Sequence, residues 1–187
     1  MDLVFDIETD DLKATKIWCI VAQDLETNEI FKFPPKKLQD GYDLLMSADT
    51  LIGHNIIGFD IPMVEKFAGI KLSDKKILDT LVMSRLFNPT REGGHSLETW
   101  GFNYSSEMLN YCVRDVQLNT LVFKELQKES KGFSKQSLQL ETAIADIMKK
   151  QEIAGFKFDE RKAELLLAEL REKKQEIEDE VHTTFKP

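Results

Sequence analysis

The alternation of strand-like and helix-like segments over the first 130 residues constrains the fold more than any other feature of the sequence. Short apolar runs typical of buried strands lie at 3–7, 16–33, 50–55 and 75–80, and the second run breaks at 26–28 like a hairpin. Helical spacing occupies 60–69, 80–87 and 105–130. This interleaving favours an α/β domain with a mixed sheet flanked by helices.

Beyond about residue 130 the pattern predicts helices alone. Two long helical patterns lie at 134–155 and 160–182, and Asp159 is a candidate N-cap of the second. We therefore place a boundary near residue 131, between a domain over 1–130 and a C-terminal helical segment over 131–187.

Composition narrows the classes of protein to consider. Hydrophobic residues make up 42% of 187 residues, which is enough for one sizeable core. No apolar run approaches about 20 residues and no signal peptide is evident, so we expect no membrane association and a cytoplasmic location. We interpret Cys19 and Cys112 as reduced thiols, and Trp18 and Trp100 as core residues. The net charge of −8 argues mildly against binding nucleic acid by charge alone, but it is compatible with an acidic site neutralised by metal ions.

Four acidic residues stand where apolar packing is expected. Residues i and i+2 of a strand point to one face, so Asp6 and Glu8 project together from the first strand. Asp60 follows an apolar strand and a turn, and Asp115 shares a helix face with Tyr111 four residues earlier.

Convergent carboxylates repel one another unless a cation lies between them. A site made of carboxylates, without histidine or cysteine ligands, suits hard ions such as Mg²⁺ or Mn²⁺. Two such ions about 4 Å apart can cleave a phosphodiester in line. The sequence therefore predicts a site for two divalent cations.

Plainer interpretations exist for each residue taken alone. Asp6 and Glu8 would be exposed acids of an edge strand, Asp60 a helix N-cap, and Asp115 a surface acid. Tyr111 would be a packing residue. We interpret His54 as a turn or substrate-side residue rather than a general base.

The acids and the tyrosine fall into an ordered set of motifs. Asp6-Ile7-Glu8, then Asp60, then Tyr111-Cys112-Val113-Arg114-Asp115 resemble the three motifs of the DEDD 3′–5′ exonucleases, in the form of the tyrosine subgroup. The stretches HNIIGFDIP, LDTLVMSRLF, HSLETWGF and YCVRDV together resemble the proofreading domain of phage replicative DNA polymerases of family A. KQEIAGFKFDERKAELLLAEL, at 150–170, resembles the segment that joins this domain to the polymerase domain.

The resemblance implies a ribonuclease H-like fold and removal of 3′-terminal nucleotides from single-stranded DNA by two-metal hydrolysis. It also implies that 131–187 is the start of a polymerase domain of the same full-length protein. Asp6 would bridge both metals, Glu8 and Asp115 would complete the site of the metal that activates water, and Asp60 would hold the second metal through water. Tyr111 would orient the attacking water.

The same resemblance implies positions that contact the substrate. Thr9 would lie near the 3′-terminal sugar and Leu12 against a base. Asn55 and Phe59 would line the path of the single strand, where stacking grips nucleotides without reading their sequence.

Two departures and two rival functions accompany this interpretation. Relatives commonly carry a longer connection where this chain has only residues 101–110, and no polymerase active-site motif is present. One rival is an RNA-trimming 3′–5′ exonuclease, since the 2′-hydroxyl alone separates the two substrates. The other is a catalytically silent module that binds single strands. We expect a monomer in either case.

Overall fold

A mixed β-sheet forms the centre of the N-terminal part of the molecule. The computed structural model describes residues 1–11, 14–97 and 108–185, with the backbone alone at Met108. Within these ranges, five strands form one sheet in the order β3-β2-β1-β4-β5. Their bounds are β1 Asp2–Thr9, β2 Ile17–Asp24, β3 Ile30–Phe33, β4 Thr50–Gly53 and β5 Lys76–Asp79.

Strand direction divides the sheet into two halves. β1 pairs antiparallel with β2, and β2 antiparallel with β3, which confirms the predicted hairpin. On its other side β1 pairs parallel with β4, and β4 parallel with β5. β1 therefore lies at the centre of the sheet, hydrogen-bonded along both edges.

Helices cover both faces of the sheet. The helices on the two faces are α1 Leu38–Ser47, α2 Asp60–Ala68, α3 Thr80–Phe87 and α4 Met108–Glu129. Two more helices follow along the chain, α5 Lys135–Ala154 and α6 Glu160–Thr184. One hydrophobic core lies between the sheet and α1 and α2, and a second lies between the sheet and α3 and α4. This mixed sheet with flanking and C-terminal helices confirms the predicted ribonuclease H-like α/β fold class.

Local signals explain most element ends. Gly69 ends α2 with a φ of +67°, a conformation that glycine adopts without steric strain. The Asp159 carboxylate accepts a hydrogen bond from the Lys162 amide at 3.0 Å, so the predicted cap of α6 is confirmed. The pattern gave no prediction for α1, which follows a short 3-10 turn at Pro35–Lys37. The predicted start of α4 near Ser105 lies outside the described residues.

The chain forms two compact units, Met1–Gln151 and Glu152–Pro187, and the division falls within α5. The domain boundary near residue 131 stays a prediction, because compactness alone does not define a functional domain. None of the helices in the described ranges has both the length and the apolar character needed to cross a membrane.

One expected core residue lies elsewhere. Trp18 is 36% exposed, so its interpretation as a core residue is wrong, whereas Ile17 and Cys19 on either side of it are buried. Trp100 lies outside the described residues.

The close approach of β4 to its following turn gives a first test. A Cβ added at Gly53 would lie 2.1 Å from Cγ2 of Ile56 and 3.0 Å from the Phe5 carbonyl oxygen. Gly53→Ala should therefore lower the free energy of unfolding by about 1–3 kcal/mol, measured by urea denaturation. Combining it with Ile56→Ala removes the first clash, so the double variant should lose less than the sum of the two single losses. Strict additivity would contradict this packing.

Candidate metal and active site

β1 places two carboxylates on the face of the sheet that α4 covers. Along this strand Leu3, Phe5 and Ile7 belong to the core under α1 and α2, whereas Val4 belongs to the core under α4. By the same alternation, Asp6 and Glu8 share the face of Val4. Both are partly buried, so the interpretation of these residues as exposed edge-strand acids does not hold.

Cys112 of α4 packs directly against this pair. Its thiol lies 3.4 Å from Oδ2 of Asp6 and 3.5 Å from the Asp6 carbonyl oxygen. The potential ligand atoms of Asp6, Glu8 and Cys112 all lie within 4.8 Å of one another. The neighbouring Cys19 thiol and burial raise the pKa of Cys112, which keeps this sulfur protonated and a weak competitor for hard cations.

Asp60 approaches Asp6 and Glu8 from α2, the helix that packs on the opposite face of the sheet from α4. It is the first residue of α2, and its Oδ1 accepts a hydrogen bond from the Ile7 amide at 3.1 Å. Phe59 occupies the N-cap position of α2, so Asp60 is not the N-cap residue. A carboxylate only 4% exposed is instead fixed to the strand between Asp6 and Glu8.

The fourth carboxylate comes from α4. The Tyr111 hydroxyl donates a hydrogen bond to Asp115, as their spacing of one helical turn allows. Burial and the negative charge of Asp115 raise the pKa of Tyr111 to about 12, so the phenol stays protonated and keeps a proton to donate.

Burial raises the pKa values of all four acids, and repulsion from neighbouring carboxylates adds to this at Asp6, Glu8 and Asp60. Burial raises the pKa of Asp6, and the charges of Asp60, Asp115 and Glu8 raise it further. Burial and the charge of Asp115 raise the pKa of Glu8 to about 7. Burial raises the pKa of Asp60 to about 7, and that of Asp115 to about 6. The cluster therefore holds protons at neutral pH unless cations replace them.

The three predicted substrate-contacting residues that the structure describes differ in burial and in their distance along the chain from the acids. Thr9 ends β1 beside the cluster, and its hydroxyl donates to the Asp11 carbonyl oxygen at 2.9 Å. Asn55 is exposed, with a φ of +62°. Phe59 is half-buried and packs against the core under α1 and α2, so only part of its ring faces solvent. Leu12 lies outside the described residues.

Sequence reasoning missed Asp79, which fixes the segment leading to Asp60. Its Oδ1 accepts hydrogen bonds from the amides of Asn55 and Leu81 at 2.9 Å, and its Oδ2 accepts one from the Ile57 amide at 3.1 Å. This carboxylate is buried and joins the turn after β4 to the start of α3. The available signal was an aspartate at the end of an apolar strand, immediately before a helix.

Thr80, the next residue, joins the same turn to α4. Its hydroxyl lies 2.7 Å from Oδ1 of Asn119, 3.2 Å from the Gly53 carbonyl oxygen and 3.0 Å from Nδ1 of His54. Asn119 is one helical turn beyond Asp115, so this contact helps set the position of α4 against the sheet. Burial lowers the pKa of His54 to about 4, with a smaller effect from the nearby Arg85, so this imidazole is a neutral structural partner.

Comparisons with known proteins find similarity to two phage DNA polymerases. The chain is 24% identical over 260 residues to the DNA-directed DNA polymerases of Enterobacteria phage T3 and Escherichia phage T7. The match covers 98% of this chain and 37% of each relative, so the chain spans about a third of their length. No family model matches it.

Solved structures give more distant similarities. Trypanosoma brucei RNase D is 16% identical with a TM-score of 0.45, covering 67% of this chain and 57% of that one. The family B DNA polymerase of Pyrobaculum calidifontis is 15% identical with a TM-score of 0.42, covering 66% of this chain and 24% of that one. Neither structural similarity bears on the reaction.

The buried carboxylate of Asp79 predicts a stability loss. Asp79→Asn directs an amide group at backbone donors that need an acceptor, and should lower the free energy of unfolding by about 1–3 kcal/mol in urea denaturation. Asp74→Asn, at an exposed acid paired with Lys71, is the matched control and should change it by less than about 0.5 kcal/mol. Equal effects of the two substitutions would contradict the assigned hydrogen bonds.

The raised pKa values of the cluster predict an unusual pH dependence in EDTA. The folded chain holds protons on these acids up to pH 6–7, whereas the unfolded chain loses them near pH 4. Their contribution to stability therefore falls as pH rises from about 4 to 7. Asp6→Asn should raise the thermal midpoint at pH 8, by roughly 2–4 °C for each kcal/mol of repulsion removed, and by less at pH 5.

Asp43→Asn, at an exposed acid of α1, is the control for net charge and should leave the midpoint nearly unchanged at both pH values. A gain for Asp6→Asn that is the same at pH 5 and pH 8 would mean that the carboxylates do not repel one another in the folded chain.

Proposed function

We propose that this chain is a metal-dependent 3′–5′ exonuclease that removes 3′-terminal nucleotides from single-stranded DNA. The observation that carries the proposal is the convergence of four carboxylates, Asp6, Glu8, Asp60 and Asp115. Burial raises the pKa of each, and the charges of neighbouring carboxylates raise those of Asp6, Glu8 and Asp60 further. Acids this crowded are typical of functional sites, because an ordinary structural role would select apolar residues or paired charges.

The donor set fits hard divalent cations. Four carboxylates from β1, α2 and α4 offer oxygen ligands that suit Mg²⁺ or Mn²⁺. Two such ions would activate a water molecule and stabilise the leaving 3′-oxygen. Asp6 is the natural shared ligand, because its pKa responds to the charges of all three other acids.

The remaining site residues would orient the attacking water and bind the DNA strand. Tyr111 keeps its phenolic proton and stands one helical turn from Asp115, so its hydroxyl can hold the attacking water at the edge of the cluster. On this proposal the chain has the tyrosine form of the DEDD motifs. Thr9 at the end of β1 would contact the terminal sugar, and Asn55 and the exposed part of Phe59 would line the strand path.

Similarity to two phage DNA polymerases supports DNA over RNA as the substrate, and proofreading as the context. On this proposal 131–187 leads into a polymerase domain of the same polypeptide, and the protein works in the cytoplasm of a phage host. The matched span of 260 residues exceeds the 187 residues of this chain, which supports a shortened connection relative to these phage proteins. The match does not locate that difference, and most of 101–110 lies outside the described residues.

A labelled-oligonucleotide assay tests the proposal. With Mg²⁺ or Mn²⁺, 5′-labelled single-stranded DNA should shorten from its 3′ end as a ladder, and EDTA should stop the reaction. Asp6→Ala should lower the rate by at least about 1000-fold, because it removes the shared metal ligand. Tyr111→Phe should reduce the rate by about 10–100-fold, because water can still reach the site without the Tyr111 hydroxyl that orients it.

Asp43→Asn is again the control and should keep full activity. A strong preference for an RNA oligonucleotide of the same sequence would replace DNA with RNA as the substrate. Single-strand binding without a ladder in either metal would leave a silent binding module. A ladder that persists in Asp6→Ala would exclude this cluster as the active site.

A further inference from the structure

We propose that Trp18 and Lys16 form a nucleotide-binding subsite beside the carboxylate cluster. A base of the single strand stacks on the Trp18 indole, and the Lys16 ammonium group binds the phosphate of that nucleotide. This inference rests on the proposed exonuclease function and adds a substrate contact to it.

A β-bulge brings Trp18 to this position. Glu8 is paired with Cys19, but Thr9, the next residue of β1, is paired with Ile17, so Trp18 is the extra residue of β2. Bulges are frequent next to active sites, where they re-aim a side chain. Trp18 is therefore adjacent in the sheet to Glu8, a proposed metal ligand, and to Thr9, a proposed contact of the terminal sugar.

Within the part of the chain that the structure describes, Trp18 packs into neither hydrophobic core. Its neighbours Ile17 and Cys19 are 4% and 3% exposed and belong to the cores on the two faces of the sheet. Trp18 is 36% exposed and belongs to neither core. A large aromatic surface left open beside a catalytic cluster is well suited to stacking with a base.

Lys16 supplies the charge that a phosphate requires. In the free protein its Nζ lies over one face of the Trp18 ring, 3.9 Å from the ring centroid, a favourable cation–π distance. When a base stacks on that face, the flexible lysine side chain would move its ammonium group from the ring to the phosphate. The chain carries a net charge of −8, and four acids stand close by, so a strand approaching this end of the sheet meets strong repulsion. A lysine held here reduces that repulsion locally, and the combination of cation and aromatic ring favours a nucleotide over an apolar protein partner.

Hydrogen bonds hold the backbone next to Lys16 and Trp18 in place before any strand binds. Oδ1 of Asp10 accepts hydrogen bonds from the amides of Thr15 and Lys16 at 2.8 and 3.2 Å. Nζ of Lys66, on α2, donates to the Ala14 carbonyl oxygen at 3.0 Å. These contacts fix the residues that lead into β2, so the subsite needs little ordering when a strand binds.

The subsite would tolerate any base. Stacking uses the face of the ring rather than its hydrogen-bonding edge, and the ammonium group contacts a phosphate common to all nucleotides. Such a contact suits an enzyme that must accept whatever nucleotide lies at a 3′ end.

The presence of only two tryptophans allows a direct test. In a Trp100→Phe background, Trp18 is the sole indole, and titration with oligo(dT) in EDTA should quench its fluorescence at saturation. Trp18→Ala should weaken oligo(dT) binding, measured by fluorescence anisotropy of a labelled oligonucleotide, by about 5–100-fold. It should raise KM in the Mg²⁺ assay more than it lowers kcat, because the contact holds the strand rather than the reacting atoms.

Two further variants make the test robust to misfolding. Trp18→Phe retains a ring and should recover most of the lost affinity. Lys16→Gln should reduce the slope of log affinity against log salt by about 0.7, the value for one phosphate contact on a single strand. Met46→Ala, at a similarly exposed apolar residue of α1, is the matched control and should leave binding unchanged.

The outcomes separate the two proposals. A native protein that makes a ladder, with Trp18→Ala and Lys16→Gln binding as tightly as the control, would overturn the subsite and leave the exonuclease. A native protein with neither ladder nor oligonucleotide binding would overturn both. Quenching by oligo(dT) together with the loss in Trp18→Ala would support the subsite.

Discussion

Repulsion among four half-buried or buried carboxylates is the constraint around which this structure is organised. Acids that raise one another's pKa push apart, so the elements carrying them must be held together by other interactions. Two hydrophobic cores on opposite faces of the sheet provide most of that attraction. The Ile7 amide restrains Asp60, while Asp79 and Thr80 restrain the turn after β4 and, through Asn119, α4. The repulsion thus costs stability locally, and on the proposed function this cost is offset when cations bind between the acids.

Much of this arrangement could be predicted from sequence because burial and periodicity carry the information. The strands and most helices follow apolar runs with clear ends, as at Gly69 and Asp159. The acids were found because a charge within an apolar run is unusual. The structure brings Asp6, Glu8, Asp60 and Asp115 together, although their roles in metal binding stay proposals.

What escaped prediction depends on contacts between residues distant in sequence. Asp79 looks like an ordinary helix cap until the amides of Asn55 and Ile57 are seen to converge on it, 22–24 residues away in the chain. α1 follows a pair of prolines and contains a glycine, so its local signal is weak. Trp18 was wrongly assigned to the core because an aromatic residue inside an apolar run normally is buried, and periodicity cannot show a bulge.

That bulge also determines which way β2 faces. Ile17 and Cys19 are two residues apart, and in a regular strand they would point to the same side of the sheet. Here Ile17 enters the core under α1 and α2, while Cys19 enters the core under α4. A single additional residue thus reverses which side chains of β2 face each core, at the level of Glu8 and Thr9. Removing one residue at this point would turn the apolar start of β2 toward the carboxylates, so the length of this strand is as strictly defined as its composition.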